Sequence, residues 1–184
     1  MLSTTCVAVA LSCIAQRFPH VGFINPEFTE LTDPAKRKTD ASNWGALAAD
    51  ASYSMYAGVI HITGMHWDSF VLYPNGAPDC QDKGPNDPAT APTCLMYDCS
   101  QDTYSEMQSL VQEVFHGHFT EEMKFVRDHV PRIFDGSSCG LLSLLFVEQT
   151  LAGVQLFDES VKPALPYYRM RYLRLALNRL NETQ

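Results

Sequence analysis

The sequence is poor in basic residues. Its 184 residues include 13 Lys and Arg against 21 Asp and Glu, which gives a formal net charge of -8. Because phosphate binding needs clustered Lys and Arg, this balance disfavours nucleic acid as a main partner. One basic cluster is Lys36 to Lys38. A second recurs at near-helical spacing close to the C-terminus, and we interpret it as a solvated helix face (Arg169, Arg171, Arg174 and Arg179).

Long apolar runs are also missing. The apolar stretch from Cys6 to Ala15 is too short to span a bilayer, so no membrane partner is expected. No Lys or Arg precedes this stretch, whereas a secretory signal begins with a positively charged segment. We therefore favour a buried helix over a signal peptide. The resulting expectation is an intracellular protein, in the cytoplasm or nucleus, with secretion as the less favoured alternative.

Motifs for metal and phosphate binding are absent as well. The sequence contains no CxxC or HExxH motif and no glycine-rich phosphate loop, so neither a metal nor a cofactor is predicted. The pair His116 and His118 is interpreted as a surface feature. Six cysteines in a chain of this length do not indicate a disulfide framework. Cys80 and Cys94 could pair, but two free thiols suit the expected reducing compartment.

Apolar spacing predicts a mixture of helices and strands. The length suits a single domain spanning residues 1–184, with an inserted Pro-rich loop at 74–94 and a C-terminal helical extension at 154–184. We expect an α+β fold with a mixed sheet and leave the oligomeric state open. The predicted helices are Leu2–Arg17, Thr103–Phe115, Cys139–Gly153 and Val161–Leu180, and the predicted strands are Val21–Pro26, Tyr56–Ile62, Trp67–Tyr73, Leu95–Asp98 and Phe125–Phe134. Residues Thr32–Trp44 are expected to form a loop or an exposed helix.

Cys139 begins the most apolar of these helices. The side chains of this helix are apolar on almost every side, which is typical of a helix buried in the middle of a domain. The free amides and the dipole at a helix N-terminus stabilise a thiolate and lower the pKa of the thiol. Gly140 follows, and its lack of a Cβ would let a substrate carbonyl approach the backbone. On position alone, a packed cysteine is the simpler interpretation.

His66 and Asp98 supply the partners that a nucleophilic thiol needs. A Cys nucleophile requires a base, and that base requires an orienting carboxylate. His66 lies at the start of one predicted strand, and Asp98 ends the next. Neighbouring strands could bring the two side chains within hydrogen-bond reach. The order His66, Asp98, Cys139 therefore favours a thiol peptidase centre.

The same segments resemble the ubiquitin-like-protein protease family, the adenain-like cysteine peptidases that include the SUMO proteases. The family has His-Trp on one strand, an aromatic-Asp pair on the next, and Cys-Gly at the start of the central helix. The matching segments here are Met65-His66-Trp67, Met96-Tyr97-Asp98 and Asp135-Gly136-Ser137-Ser138-Cys139-Gly140. The resemblance covers roughly Leu2 to Gly153. It implies a papain-like cysteine protease fold, in which a mixed central sheet packs against a buried helix carrying the nucleophile at its N-terminus.

The resemblance also implies a role for each residue. Cys139 would be the nucleophile, His66 the general base, and Asp98 the carboxylate that orients the imidazole. Trp67 and Gly140 would bind substrate, with Trp67 lining a narrow channel for a Gly-Gly tail. The implied partner is a ubiquitin-like modifier or its conjugates, cleaved after that tail in deSUMOylation or a related peptidase reaction without a cofactor.

Three departures from the family favour an alternative. The position six residues before the Cys, where the family has an oxyanion Gln, holds Ile133, and losing one such donor costs about 10²–10³ in rate. The loop before Thr93 is longer than the family's turn. Met1 to Thr5 also replace the Trp and Asp that help to clamp the substrate tail. The alternative is a catalytically degenerate homologue that acts as a protein-binding module.

Overall fold

The computed structural model describes residues 2–48, 53–62, 66–77, 91–100, 102–128, 137–154 and 158–182. The helices are α1 (Thr4–Ala15), α2 (Pro34–Ala41), α3 (Tyr104–Val114), α4 (Cys139–Leu151) and α5 (Asp158–Glu182), with a 3₁₀ helix at Pro26–Glu30. The strands are β1 (Val21–Phe23), β2 (Met55–Ile62), β3 (His66–Tyr73), β4 (Thr93–Tyr97) and β5 (Lys124–Asp128).

The strands form one mixed sheet. Its order is β1-β2-β3-β4-β5, in a 5-stranded arrangement. β3 is central and pairs antiparallel with both β2 and β4. The outer strands β1 and β5 each pair parallel with their neighbours. Because β3 and β4 are adjacent and antiparallel, the start of β3 lies beside the end of β4, at one end of the strands.

Helices cover both faces of the sheet. Side chains alternate between the faces of a strand, so Trp67 and Val71 of β3 pack with α1, α4 and α5. Phe70 and Leu72 pack on the opposite face with the 3₁₀ helix, α2 and α3. The nucleophile candidate therefore lies in the layer of Trp67. His66 and Asp68 alternate with Trp67 and share the face of Phe70.

Local capping explains where several helices begin. Ser3 caps α1 by accepting a hydrogen bond from the Cys6 amide. Asp33 caps α2 in the same way, and Pro34 occupies its first position, where no amide donor is needed. Each of these starts follows from a short sequence signal.

The predicted α+β architecture is confirmed. α1 packs into the core through apolar residues including Leu11 and Ile14, as expected for a buried helix. The segment Thr32–Trp44, expected to form a loop or an exposed helix, contains helix α2. None of the described helices has the length and apolar character needed to cross a membrane.

Several predicted boundaries were wrong. The first strand ends at Phe23, because Pro26 begins a 3₁₀ helix capped by Asn25. The inserted loop ends earlier than predicted, since Thr93 and Cys94 belong to β4 and pair with β3. The last strand begins at Lys124 and ends at Asp128. The remainder of its predicted span, residues 129–134, lies outside the described residues.

Candidate active site

Cys139 is the first residue of α4. The preceding Ser138 is 1% exposed, and its Oγ accepts a hydrogen bond of 2.8 Å from Arg169 of α5. Ser143, one turn into α4, donates to the Trp67 carbonyl at 2.9 Å. These contacts hold the start of α4 against both the sheet and α5.

His66 and Asp98 meet where β3 and β4 adjoin. Ser69 of β3 is paired with Tyr97, the last residue of β4. Asp98 therefore lies beyond the paired region, at the level of the first residues of β3. His66 Nε2 is 2.7 Å from Asp98 Oδ1. Because this nitrogen faces a carboxylate, it carries the hydrogen and donates it.

Asp98 is held by a dense set of donors. Its Oδ1 accepts hydrogen bonds from the Ser100 amide at 2.7 Å and the Ser100 hydroxyl at 2.8 Å. Its Oδ2 accepts one from the Thr103 amide at 2.9 Å. Burial alone raises the pKa of Asp98, but the hydrogen bonds from His66, Thr103 and Ser100 outweigh it and hold the pKa well below its usual range. Asp98 is therefore ionised at neutral pH.

A second carboxyl group also contacts His66. Asp68 Oδ1 lies 3.0 Å from His66 Nε2, and the Asp68 side chain is 0% exposed. Its Oδ2 lies 2.7 Å from Thr103 Oγ1. Sequence reasoning missed this residue, although its position two residues after His66 on a strand places both side chains on one face.

The pKa values of the His66 imidazole and the Cys139 thiol are shifted in opposite directions. Hydrogen bonds with Asp68 and then Asp98 raise the pKa of His66 far above its ordinary value, and Cys139 adds to the shift. Burial raises the pKa of Cys139, but a hydrogen bond from His66 and backbone hydrogen bonds from Trp67 and Gly140 outweigh burial and lower it. The two shifts together favour a thiolate–imidazolium pair.

Cys99 is a further thiol in contact with His66. Burial raises the pKa of Cys99, and the hydrogen bond from His66 only partly opposes this effect. His66, Asp98 and Cys99 each offer a metal-ligating atom, and these atoms lie within 4.8 Å of one another. However, Asp98 Oδ1 already accepts hydrogen bonds from His66 and Ser100. We interpret the cluster as a hydrogen-bonded centre, and the absence of a metal requirement stays a prediction.

Trp67 lies beneath the start of α4. Its side chain is 1% exposed, and its Nε1 donates to the Leu2 carbonyl at 3.2 Å. A Cβ on Gly140 would stand 3.1 Å from Trp67 Cδ1, which is tighter than an ordinary contact. Gly140 therefore lets α4 approach the indole closely. The substrate-binding roles of Trp67 and Gly140 stay predictions.

Some predicted features fall outside the described residues. These are the substituted oxyanion position Ile133, the turn residues Asp135 and Gly136, and Cys80. Cys94 is buried and free, and burial raises the pKa of its thiol well above the ordinary value.

The C-terminal basic series was wrongly interpreted as a wholly solvated face. Arg171 forms an ion pair with Glu148 of α4, whose side chain is 2% exposed. Arg169 donates to Ser138 beside Cys139. A buried carboxylate needs a cation, and only the folded chain brings one to Glu148. The sequence signal was a lone Glu in an otherwise apolar helix.

An apolar cleft lies between α1, α4 and α5. It has a volume of about 550 Å³, and its lining includes Leu2, Cys6, Leu141 and Leu173. Ser137 and Arg169 form its polar end, close to the start of α4.

Comparison with known proteins gives matches in structure. No protein-family model matches the sequence, and no curated protein matches it. A crystal structure of the de-sumoylating protease aligns with a TM-score of 0.66 at 13% identity, covering 98% of this chain and 83% of that one. The Xanthomonas campestris effector protein XopD bound to ubiquitin aligns with a TM-score of 0.64 at 18% identity, covering 94% and 90%. The SUMO protease Ulp1, with its catalytic cysteine oxidised to a sulfonic acid, aligns with a TM-score of 0.66 at 15% identity, covering 97% and 79%.

These solved structures contain the same kind of mixed sheet and helices as the present chain. They cover between 94% and 98% of its length. The chain therefore has the fold of the SUMO and ubiquitin-like-protein proteases, as the resemblance in its sequence implied.

Proposed function

We propose that this protein is a cysteine peptidase or isopeptidase that cleaves after the Gly-Gly tail of a ubiquitin-like modifier. Its main support is that His66 contacts both Asp98 and Cys139, and that Cys139 is the first residue of a buried helix. In this proposal Cys139 is the nucleophile, His66 is the general base and acid, and Asp98 orients the imidazole.

The first half of the reaction forms a thioester. The Cys139 thiolate attacks the carbonyl carbon of the last glycine of the tail, and its electron pair forms the C–S bond. The tetrahedral intermediate then collapses, and the C–N bond breaks. His66 gives its proton to the departing amine and becomes neutral. Asp98 keeps the ring in the orientation that this transfer needs.

The second half hydrolyses the thioester. Neutral His66 takes a proton from a water molecule as that water attacks the thioester carbonyl. The C–S bond breaks, the modifier leaves with a free carboxyl terminus, and the thiolate–imidazolium pair is restored. The Cys139 amide is available as one oxyanion donor.

The substrate class is supported by the structural neighbours. One neighbour is described as a SUMO protease, and the Xanthomonas effector was solved bound to ubiquitin. Gly140 adds a physical argument, because a residue without a Cβ beside the nucleophile favours close approach of a narrow tail. We propose a modifier or its conjugates as the partner, and no nucleic acid or membrane partner.

The test is labelling by SUMO and ubiquitin that carry a C-terminal vinyl sulfone. We expect one of these probes to attach to Cys139, and Cys139→Ala to abolish the adduct. Cys6→Ser is the matched control, because Cys6 is an exposed thiol and its loss should leave labelling unchanged. Ile133→Gln should raise the labelling rate if the substituted position limits the oxyanion hole.

The alternative is a degenerate protease that binds a modifier without cleaving it. Ile133 is the observation that favours this alternative, because its side chain cannot donate a hydrogen bond. Binding of a modifier that survives Cys139→Ser, with no adduct in any folded variant, would contradict the peptidase proposal and support the binding module.

A further inference from the structure

Asp68 is a buried carboxyl group that the proposed mechanism does not use. It follows His66 by two residues on β3, so both side chains lie on the same face. Asp68 Oδ1 is 3.0 Å from His66 Nε2, and Oδ2 is 2.7 Å from Thr103 Oγ1. The centre therefore places two carboxyl groups, from Asp68 and Asp98, against one imidazole.

The Thr103 hydroxyl indicates which of the two carboxyl groups carries a proton. Its Oγ1 lies 2.7 Å from Asp68 Oδ2 and 2.8 Å from Asp98 Oδ2, but a hydroxyl has a single hydrogen to donate. One carboxyl group must therefore donate to Oγ1. Asp98 accepts from two backbone amides, which favours its ionised form. The consistent arrangement is a protonated Asp68 that donates to Thr103, which in turn donates to Asp98.

The other oxygen of Asp68 supports the same arrangement. The Nε2 hydrogen of His66 is directed to Asp98, whose oxygen is nearer, at 2.7 Å. Asp68 Oδ1, at 3.0 Å, shares this nitrogen with the nearer Asp98, and no other donor within the described part of the chain reaches it. A buried oxygen with so weak a partner is costly in an ionised carboxylate and less costly as the carbonyl oxygen of a neutral carboxyl group. Burial raises the pKa of Asp68 to about 6, helped by the charge of Asp98 and partly opposed by hydrogen bonds with His66 and Thr103.

We propose that Asp68 is a positioning residue of the centre, whose carboxyl group takes up a proton at a pH well above the ordinary aspartate range and whose charge sets how tightly His66 holds its own proton. With Asp68 neutral, His66 faces one negative charge and releases its proton more readily. With Asp68 ionised, His66 faces two negative charges and holds its proton more tightly. The inference deepens the proposed function. It rests on that function only in naming the departing amine as the group that receives the His66 proton.

The groups that face Asp68 come from the elements packed around it. They are His66 on its own strand, Asp98 after β4 and Tyr104 of α3, while Cys99 and Cys139 act through His66. Burial raises the pKa of Tyr104 to about 12, so its phenol is neutral across the relevant range. His66 and Asp98 are therefore the charges that Asp68 responds to.

The experiment uses the full chain and the variant Asp68→Asn, which keeps the shape of a neutral carboxyl group. Carbon-13 NMR would follow the side-chain carboxyl carbons, and ring NMR would follow His66, during a pH titration. We expect the Asp68 signal to titrate at least about one pH unit above the ordinary aspartate value of about 3.9. We also expect Asp68→Asn to weaken proton binding by His66 about tenfold or more.

Asp102→Asn is the matched control. Asp102 is exposed and lies in the same turn as Asp98, so its removal deletes an equal charge outside the centre. The His66 titration should be unchanged in this variant. A residue with a merely structural role would not move the His66 titration in a folded Asp68→Asn protein.

Two results would overturn the inference. One is an Asp68 carboxyl group that titrates at or below the ordinary aspartate range. The other is a His66 titration that is the same in the wild type and in Asp68→Asn. Neither measurement uses a modifier, so failure of the vinyl sulfone probes would count against the proposed substrate and not against Asp68.

Thr103 gives a second route if Asp68→Asn fails to fold. Thr103→Val removes the bridging hydroxyl, and Thr103→Ser retains it. We expect the Asp68 titration to shift in the valine variant and to stay close to wild type in the serine variant. Equal titrations in the two variants would contradict the proposed link through Thr103.

Discussion

Arg171 binds the carboxylate of Glu148 through both terminal guanidinium nitrogens, each 2.5 Å from an oxygen. The Tyr172 hydroxyl donates to the same carboxylate at 2.8 Å, and Arg17 also contacts it. The network joins the helix that carries Cys139 to α5 and to the residues that follow α1. The C-terminal helix is therefore tied to the proposed centre by a buried ionic contact.

Loss of Arg171 should destabilise the fold substantially. Removing one partner of a buried pair costs about 3–5 kcal/mol, and Arg171→Met should fall slightly below that range, at about 2–3 kcal/mol, because Arg17 and Tyr172 still contact Glu148. The measurement is the free energy of unfolding in urea. Arg174→Met on the exposed side of α5 is the control, with an expected change within about 0.5 kcal/mol. Equal losses in the two variants would contradict the structural role of the pair.

The reactivity of Cys139 should persist to a lower pH than that of an ordinary thiol. An ordinary thiol with a pKa of about 8.5 is only about one per cent ionised at pH 6.5. Because the pKa of Cys139 is lowered, its thiolate is lost only as the pH falls through that lower value. Chloroacetamide alkylation of Cys139, followed by mass spectrometry over a pH series, should therefore slow only at a lower pH than alkylation of a free thiol does. A rate that falls tenfold per unit below pH 8, as for a free thiol, would contradict this expectation.

Cys99 should react much more slowly than Cys139. Both thiols contact His66, but burial raises the pKa of Cys99, whereas that of Cys139 is lowered. With limiting chloroacetamide at neutral pH, we expect the peptide containing Cys139 to be modified at least about tenfold faster, since one pKa unit changes the thiolate fraction tenfold. Exposed Cys6 provides the reference rate within the same sample. Faster modification of Cys99 would show that the two environments are assigned the wrong way round.

Gly140→Ala should be destabilising despite the helical location of the residue. Alanine normally stabilises a helix by about 0.5–1 kcal/mol relative to glycine. Here its Cβ would lie 3.1 Å from Trp67, whose indole is buried and hydrogen-bonded to Leu2. Overpacking of this kind costs about 1–3 kcal/mol, so the net change in unfolding free energy should be a loss.

The control for this substitution is Gln149→Ala on the same helix, where the side chain is half-buried near the C-terminal end. That variant should unfold within about 0.5 kcal/mol of the wild type. Thermal or urea unfolding measures both. A Gly140→Ala protein as stable as the wild type would mean that Trp67 moves aside readily.

Local sequence signals were sufficient to predict most elements and to single out three candidate site residues. Cys139 was recognisable because a turn precedes an unusually apolar helix, and both features are local. His66 and Asp98 were recognisable because they stand at the ends of short β-rich segments. The boundary errors arose at Pro26, Thr93 and Lys124, where capping or strand pairing decided the boundary and not the hydrophobic pattern.

Residues that support the site were harder to predict. Asp68 and Thr103 are far apart in sequence and meet only because β3 lies beside β4 and α3 begins after the turn at Asp98. The pairing of Arg171 with Glu148 joins two helices across the core. Polar contacts of this kind leave no periodicity in the sequence.

The sequence by itself determined the α+β composition, the apolar helix and the order of the nucleophile, base and acid candidates, because these depend on neighbouring residues. Only the tertiary structure decided that His66 faces both Asp68 and Asp98, and that Cys99 and Cys139 both contact the imidazole. The physical reason is that pKa values and hydrogen bonds depend on burial and on distances of a few ångströms between segments. Those distances are set by strand pairing and helix packing.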